Sequence, residues 1–158
     1  NAGYRACEYY NFFVYLRSLG FRRISRLALA LCKKSTGVEF STECQIGKHF
    51  KIAHGQNIVI GGTSIIGSNV TVYNGVTIGL SGKLYVEDGK VMQCKGYPII
   101  DDNCIIYTGA KILGDIKIGR NSIIAANSVV IHDIPENSVV AGIPGVVIKQ
   151  NEFDLSQY

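Results

Sequence analysis

The chain has 158 residues, 47% of them hydrophobic and 18% charged, with a mean hydropathy of +0.18. That length fits one domain with a real core, and the composition excludes a disordered chain. Eighteen glycines against three prolines exclude collagen and proline-rich linkers, and a net charge of +4 is too mild to imply nucleic acid. The five cysteines, Cys7, Cys32, Cys44, Cys94 and Cys104, are scattered and form no Cys-x-x-Cys pair. This argues against a disulfide framework or a cysteine zinc site and for reduced thiols in the cytoplasm. No apolar run reaches the roughly 18 residues of a membrane span, and the start shows no signal-peptide pattern.

Residues 1–36 are expected to be helical. Seven Lys/Arg face one acidic residue, Glu8, over residues 1–35, while the remainder of the chain is slightly acidic. Tyr9, Phe12, Phe13 and Leu16 fall at helical spacing, as do Ile24, Leu27, Ala28 and Leu31, with Gly20 as the break between the two runs. Gly37 closes the second helix just past Lys33 and Lys34, which suit a helix C-terminus. Two readings of these basic helices stay open: a cap packed on the next domain or a neighbouring subunit, and an amphipathic face resting on anionic lipid. Asn1 and Ala2 carry no weight in the pattern.

From residue 37 to residue 150 the pattern changes. Aliphatic residues recur every six positions at Ile60, Ile66, Val72 and Ile78, and again at Ile100, Ile106, Ile112, Ile118, Ile124 and Val130. Upstream, Phe40, Ile46, Ile52 and Ile58 keep the period two residues out of phase, which calls for an irregularity near Val59. A row of small or aliphatic residues follows four positions after each anchor, from Ser64 to Ser128. Glycine often follows the anchor directly, as at Gly47, Gly61, Gly67, Gly79 and Gly119, and is read as easing a tight turn. A period of six fits a parallel β-solenoid in which each hexad supplies a short strand and a turn. Residues 80–97 leave the hexad with three glycines and five charges, so they form an excursion loop, the kind of segment that carries function on a rigid scaffold. Residues 151–158 read as a polar tail.

These hexads, the segment around His54, the ending Ala141-Gly142-Ile143-Pro144, the run Gly-Ala-Lys-Ile-Leu-Gly at 109–114 and the run Asn-Ser-Val-Val at 127–130 resemble the hexapeptide-repeat acyltransferases. Within them the resemblance is to serine acetyltransferases and their short relatives that O-acetylate sugars of surface polysaccharides. It implies a mainly β fold, a left-handed parallel β-helix behind the short helical segment. It also implies a homotrimer with acetyl-CoA, the co-substrate, lying in the groove between subunits; no metal or nucleic acid is expected, from the cysteine and histidine spacing and the mild charge.

Acetyl transfer from a thioester to a hydroxyl needs a base for the hydroxyl proton and donors for the oxyanion. Histidine suits the first task near neutral pH. Of His49, His54 and His132, the resemblance places His54 at the catalytic position and Glu39 at the position of the acid that orients it. Fifteen residues separate the two, close to one coil of the solenoid, which makes them neighbours in adjacent turns. For acetyl-CoA the resemblance points to Gly79 and Leu80 at the loop entrance, to Thr108, Gly109 and Ala126 along the groove, and to Lys149 for a phosphate.

Ala53 and Tyr97 are the candidate acceptor residues, and both depart from the serine-specific pattern. The resemblance expects Asp before the catalytic His, where Ala53 stands, and Arg-His before Pro98, where Gly96 and Tyr97 stand. Paired charges hold a zwitterion; an alanine, a glycine and a tyrosine suit a neutral sugar. The expected activity is therefore O-acetylation of a sugar hydroxyl for a capsule or exopolysaccharide, in the cytoplasm or at the inner face of the membrane. Serine O-acetylation for cysteine synthesis is the alternative. A zinc hydratase using His49 and His54 lacks its third histidine, and a non-catalytic solenoid is the remaining reading.

Overall fold

The computed structural model describes residues 1–93 and 95–157. Two helices, α1 (Ala2–Ser18) and α2 (Arg22–Thr36), precede five coils of parallel strand. The first coil is β1 (Val38–Phe40), β2 (Gln45–Ile46) and β3 (Lys51–Ile52), and the second β4 (Ile58–Ile60), β5 (Ile65–Ile66) and β6 (Thr71–Val72). The third starts at β7 (Thr77–Gly79), leaves the coil for the hairpin β8 (Leu84–Glu87) and β9 (Lys90–Gln93), and returns as β10 (Ile99–Ile100) and β11 (Ile105–Ile106). The fourth is β12 (Lys111–Leu113), β13 (Lys117–Ile118) and β14 (Ile123–Ile124). The fifth is β15 (Val129–Val130) and β16 (Ser138–Ala141), against which β17 (Val146–Gln150) folds back antiparallel.

Stacking these coils gives a left-handed triangular prism. Its first face is β1-β4-β7-β12-β15, its second β2-β5-β10-β13, and its third β3-β6-β11-β14-β16-β17. The prism is filled by the hexad anchors: Ile60, Ile78, Ile112 and Val130 stack down one face, and Val72, Ile106 and Ile124 down another, each essentially without exposed surface. A fully buried aliphatic side chain of this size stabilises by about 1.5–3 kcal/mol, so the register is fixed by the interior column. The second row, including Ser64, Val70, Cys104, Ala110 and Ser122, is buried at the corners.

The break in phase has a different place from the one expected. Phe40, Ile46 and Ile52 pair with Ile60, Ile66 and Val72, twenty residues on, whereas Ile60 pairs with Ile78, eighteen on. The two additional residues lie between Ile52 and Ile58, not near Val59. Ile58 is therefore not an anchor; its neighbour Val59 pairs with Thr77, which puts Ile58 beside Val76 in the second row.

The glycines after the anchors also serve another purpose. None of the five is left-handed; that conformation belongs to residues further round the corners, such as His49, Asn69, Asn103, Asn121 and Asn137. A Cβ on Gly47 would lie 2.6 Å from the backbone of Gly67, and one on Gly119 2.4 Å from the Glu136 nitrogen. Glycine there lets successive coils approach.

The helices bury different lines from those expected. α1 buries Gly3, Ala6, Tyr10 and Phe13, and leaves Phe12 exposed. α2 buries Ser25, Ala28, Leu29 and Cys32; Ile24, Leu27 and Leu31 point outward. α2 ends at Gly37 in the left-handed conformation, with Lys33 and Lys34 in its last turn. Asn1 caps α1, its side chain accepting from the Gly3 N–H at 2.8 Å. Residues 151–157 are not a free tail: Leu155 is buried, and Asn69 donates to its carbonyl at 3.0 Å.

Candidate active site

The two-residue enlargement of the first coil is the turn that carries His54. Counted forward from Ile52, His54 is the equivalent of Asn74, Thr108 and Ala126 in the coils below. Counted back from the left-handed corner at Asn57, the equivalent is Gln56, whose carbonyl accepts from Gly75 at 2.9 Å as that of Asn74 accepts from Gly109 at 2.8 Å. The difference swells this corner and leaves the His54 side chain exposed at its tip.

The turn is held from two sides. Below, Ala53 donates to the Val72 carbonyl at 3.0 Å. Behind, the first turn of α1 lies on it: Asn1 donates to the Ala53 carbonyl at 3.2 Å, and a Cβ on Gly55 would sit 2.6 Å from the Gly3 nitrogen. A cavity of about 450 Å³ opens beside His54, Gly55, Gln56 and Asn74, and a larger groove of about 1060 Å³ between α1 and the third face reaches Ala53 and Tyr73.

Two tyrosines extend the site. Tyr73 and Tyr107 occupy the register position of Ala53 in the next two coils. Their rings lie 5.0 Å apart, and Tyr73 is 6.3 Å from the His54 ring. Sequence reasoning missed them. Their signal was an aromatic residue directly after the anchors Val72 and Ile106, where the other coils of this face carry alanine, at Ala53, Ala125 and Ala141.

The residues singled out from the sequence divide between two corners and a face. Ala53, His54, Thr108, Gly109 and Ala126 share the corner between the third and first faces, where the Thr108 hydroxyl donates to Asn74 Oδ1 at 3.2 Å. Gly79 and Leu80 lie at the next corner, where the excursion leaves. Tyr97 returns there, its ring packed over Gly62, on which a Cβ would meet the ring at 2.0 Å. Within one chain, Ala53 and Tyr97 thus stand on successive corners. Glu39 is on the first face between them, and its carboxylate is held by Lys33 at 2.7 Å rather than by His54. Lys149 is on β17, paired with Val139 at the far end of the third face. His49 is the first member of the left-handed asparagine ladder at the remaining corner, which gives its spacing from His54 a purely structural origin.

The thiols stand apart from this chemistry. Burial pushes Cys7 and Cys44 up to about 11 and Cys104 up to about 12, so these are neutral packing groups near pH 7. Cys94 lies outside the described residues.

A family model described as bacterial transferase hexapeptide (six repeats) matches residues 97–132. The serine acetyltransferase of Bacillus licheniformis is 48% identical over 128 residues, which cover 81% of this chain and 56% of that protein. The crystal structure of Neisseria gonorrhoeae serine acetyltransferase superposes with a TM-score of 0.83 at 28% identity, covering 98% of this chain and 57% of that one. The chain is a member of the hexapeptide-repeat transferase family. A further family structure, a serine acetyltransferase in complex with CoA, superposes with a TM-score of 0.77 at 28% identity, over 90% of this chain and 55% of that one. The chain spans little more than half the length of these family members. None of the three is described as a polysaccharide enzyme, which removes the support for placing the chain in that subgroup.

Proposed function

We propose that the chain is the acetyl-transferring part of an acetyl-CoA-dependent O-acetyltransferase, with serine as the acceptor that its relatives favour. The observation that carries this is the swollen corner. Of the three histidines, His54 is the one raised on an enlarged turn, above a column of small and polar residues that continues down the prism. His54 takes the proton of the acceptor hydroxyl as its oxygen attacks the thioester carbon. The carbonyl oxygen gains the charge, and collapse expels the CoA thiolate, which recovers the proton from the imidazolium. Glu39 orients the imidazole. Its ion pair with Lys33 is half-exposed on both sides and worth about 0–1 kcal/mol, so it opposes that role only weakly.

Acetyl-CoA runs along the His54 column past Thr108, Gly109 and Ala126, with Gly79 and Leu80 at the excursion corner and Lys149 toward a phosphate. Because the chain carries its two half-sites on separate corners, a cyclic trimer completes them by setting the His54 corner of one subunit against the excursion corner of the next.

A second reading, a neutral sugar hydroxyl as acceptor, rests on Ala53 beside His54 and on Tyr97 lying on bare glycine. Neither position offers the charge that a serine zwitterion needs.

CoA release with L-serine and with neutral sugars and sugar nucleotides at matched concentrations separates the two. Serine turnover supports the first reading, and sugar turnover without serine turnover the second. His54→Ala lowers kcat by about 10²–10⁴ in either case; near-normal turnover in that variant removes the assignment.

A further inference from the structure

The outer surface of the helical hairpin carries more apolar side chain than the packing of this chain explains. α2 uses one stripe, Ser25, Ala28, Leu29 and Cys32, to close on α1 and β1. A second stripe, Ile24, Leu27 and Leu31, lies roughly 100° further round by the 3.6-residue repeat. These three side chains are 57%, 58% and 45% exposed.

The cations around this stripe are unspent. Arg17 and Lys33 are paired with Glu43 and Glu39. Arg22, Arg23, Arg26 and Lys34 make no ion pair among the described residues, and all four are exposed. Arg23 and Lys34 border the apolar stripe directly; Arg22 and Arg26 form the next row round. The helix thus has an apolar stripe, a basic flank and no acidic residue.

We propose that α2 rests in the plane of an anionic lipid bilayer, with Ile24, Leu27 and Leu31 at the headgroup–acyl boundary and the bordering cations on lipid phosphates. Charge selects this occupant over a second copy of the chain. Two copies joined on the stripe would bring both sets of unpaired cations together with no carboxylate between them. An anionic surface meets each of them with opposite charge. A basic helix with an exposed aliphatic stripe binds in this way, by area and charge together. No helix among the described residues is long and apolar enough to cross a membrane, so the contact is peripheral. The inference stands independently of the acceptor.

Co-sedimentation of the protein with phosphatidylglycerol-containing vesicles and with pure phosphatidylcholine vesicles tests it. The protein binds the first, binds the second at least about tenfold more weakly, and is released by salt. Leu27→Ser with Leu31→Ser, and separately Arg23→Ala with Lys34→Ala, each reduce binding by about tenfold or more while the helical circular dichroism and acetyl transfer are kept. Three results overturn the proposal. One is no binding to anionic vesicles at low salt. Another is binding that the leucine variant retains in full, which is surface adsorption by charge alone. The last is a mass that rises with concentration and is abolished by the leucine variant, without vesicle binding, which makes the stripe a contact between copies.

Discussion

Gly55→Ala tests whether the His54 corner is held from behind by α1. A Cβ at this position would lie 2.6 Å from the Gly3 nitrogen and 2.8 Å from the Ala2 carbonyl carbon. The obstruction is backbone, so no side chain can swing away. Restoring ordinary contact requires the helix and the turn to part by about 0.8 Å. Neither partner yields freely, since α1 is anchored by Ala6, Tyr10 and Phe13 and the turn by its bonds to the coil below. Overpacking of this kind costs about 1–3 kcal/mol. A displacement approaching 1 Å at a catalytic base costs up to about 10²-fold in rate. The variant should therefore lose stability in urea and lower kcat by about 10- to 100-fold, with the KM for acetyl-CoA little changed, because the groove column below is untouched. Gly79→Ala supplies the control for stability: a Cβ there meets nothing within 4 Å. Wild-type stability and turnover in Gly55→Ala would refute the argument that α1 positions the turn.

Gly79→Ala should itself leave stability unchanged but raise the KM for acetyl-CoA several-fold, as read by initial rates, if the pantetheine arm passes over it. Cys104, whose thiol burial pushes up to about 12, stays protonated in the folded chain while the unfolded thiol ionises from about pH 9, so unfolding releases a proton in this window. Stability present below pH 9 should fall between pH 9 and 12 by about 1.4 kcal/mol per pH unit per such thiol, and urea titrations of Cys104→Ala should show a shallower fall. Light scattering at micromolar concentration should give about three times the 17.2 kDa of one chain; a single-chain mass would leave the two half-sites apart.

Much of the fold was legible because a six-residue beat has one physical solution. Each of the ten regular anchors from Ile60 to Val130 became a stacked interior side chain. Periodicity locates repeats but not where an insertion falls, which is why Ile58 passed for an anchor and the enlargement at His54 went unseen. The helices show a second limit. α2 has apolar residues over more than half its circumference, and spacing alone does not say which of two adjacent stripes meets the core. The excursion holds a hairpin announced by Asp88-Gly89 between two apolar runs, both residues left-handed as such a turn requires; loss of the hexad alone marks only a loop there. The placing of Gly79 and Tyr97 one corner away from His54 depends on how the coil turns, which a list of spacings does not contain.

The asparagine ladder gives the C-terminal segment a mechanical role. Asn151 N–H donates to the Asn137 carbonyl, Asn121 accepts from Leu155 N–H and donates to the Phe153 carbonyl, and Asn69 donates to the Leu155 carbonyl. Those asparagines belong to the fifth, fourth and second coils. A stack of coils joined only to its neighbours melts by fraying, one end coil at a time. A strap fastened across several coils removes that option, because the last coil cannot open without releasing contacts three coils away. The prism should accordingly lose its structure in a single cooperative step.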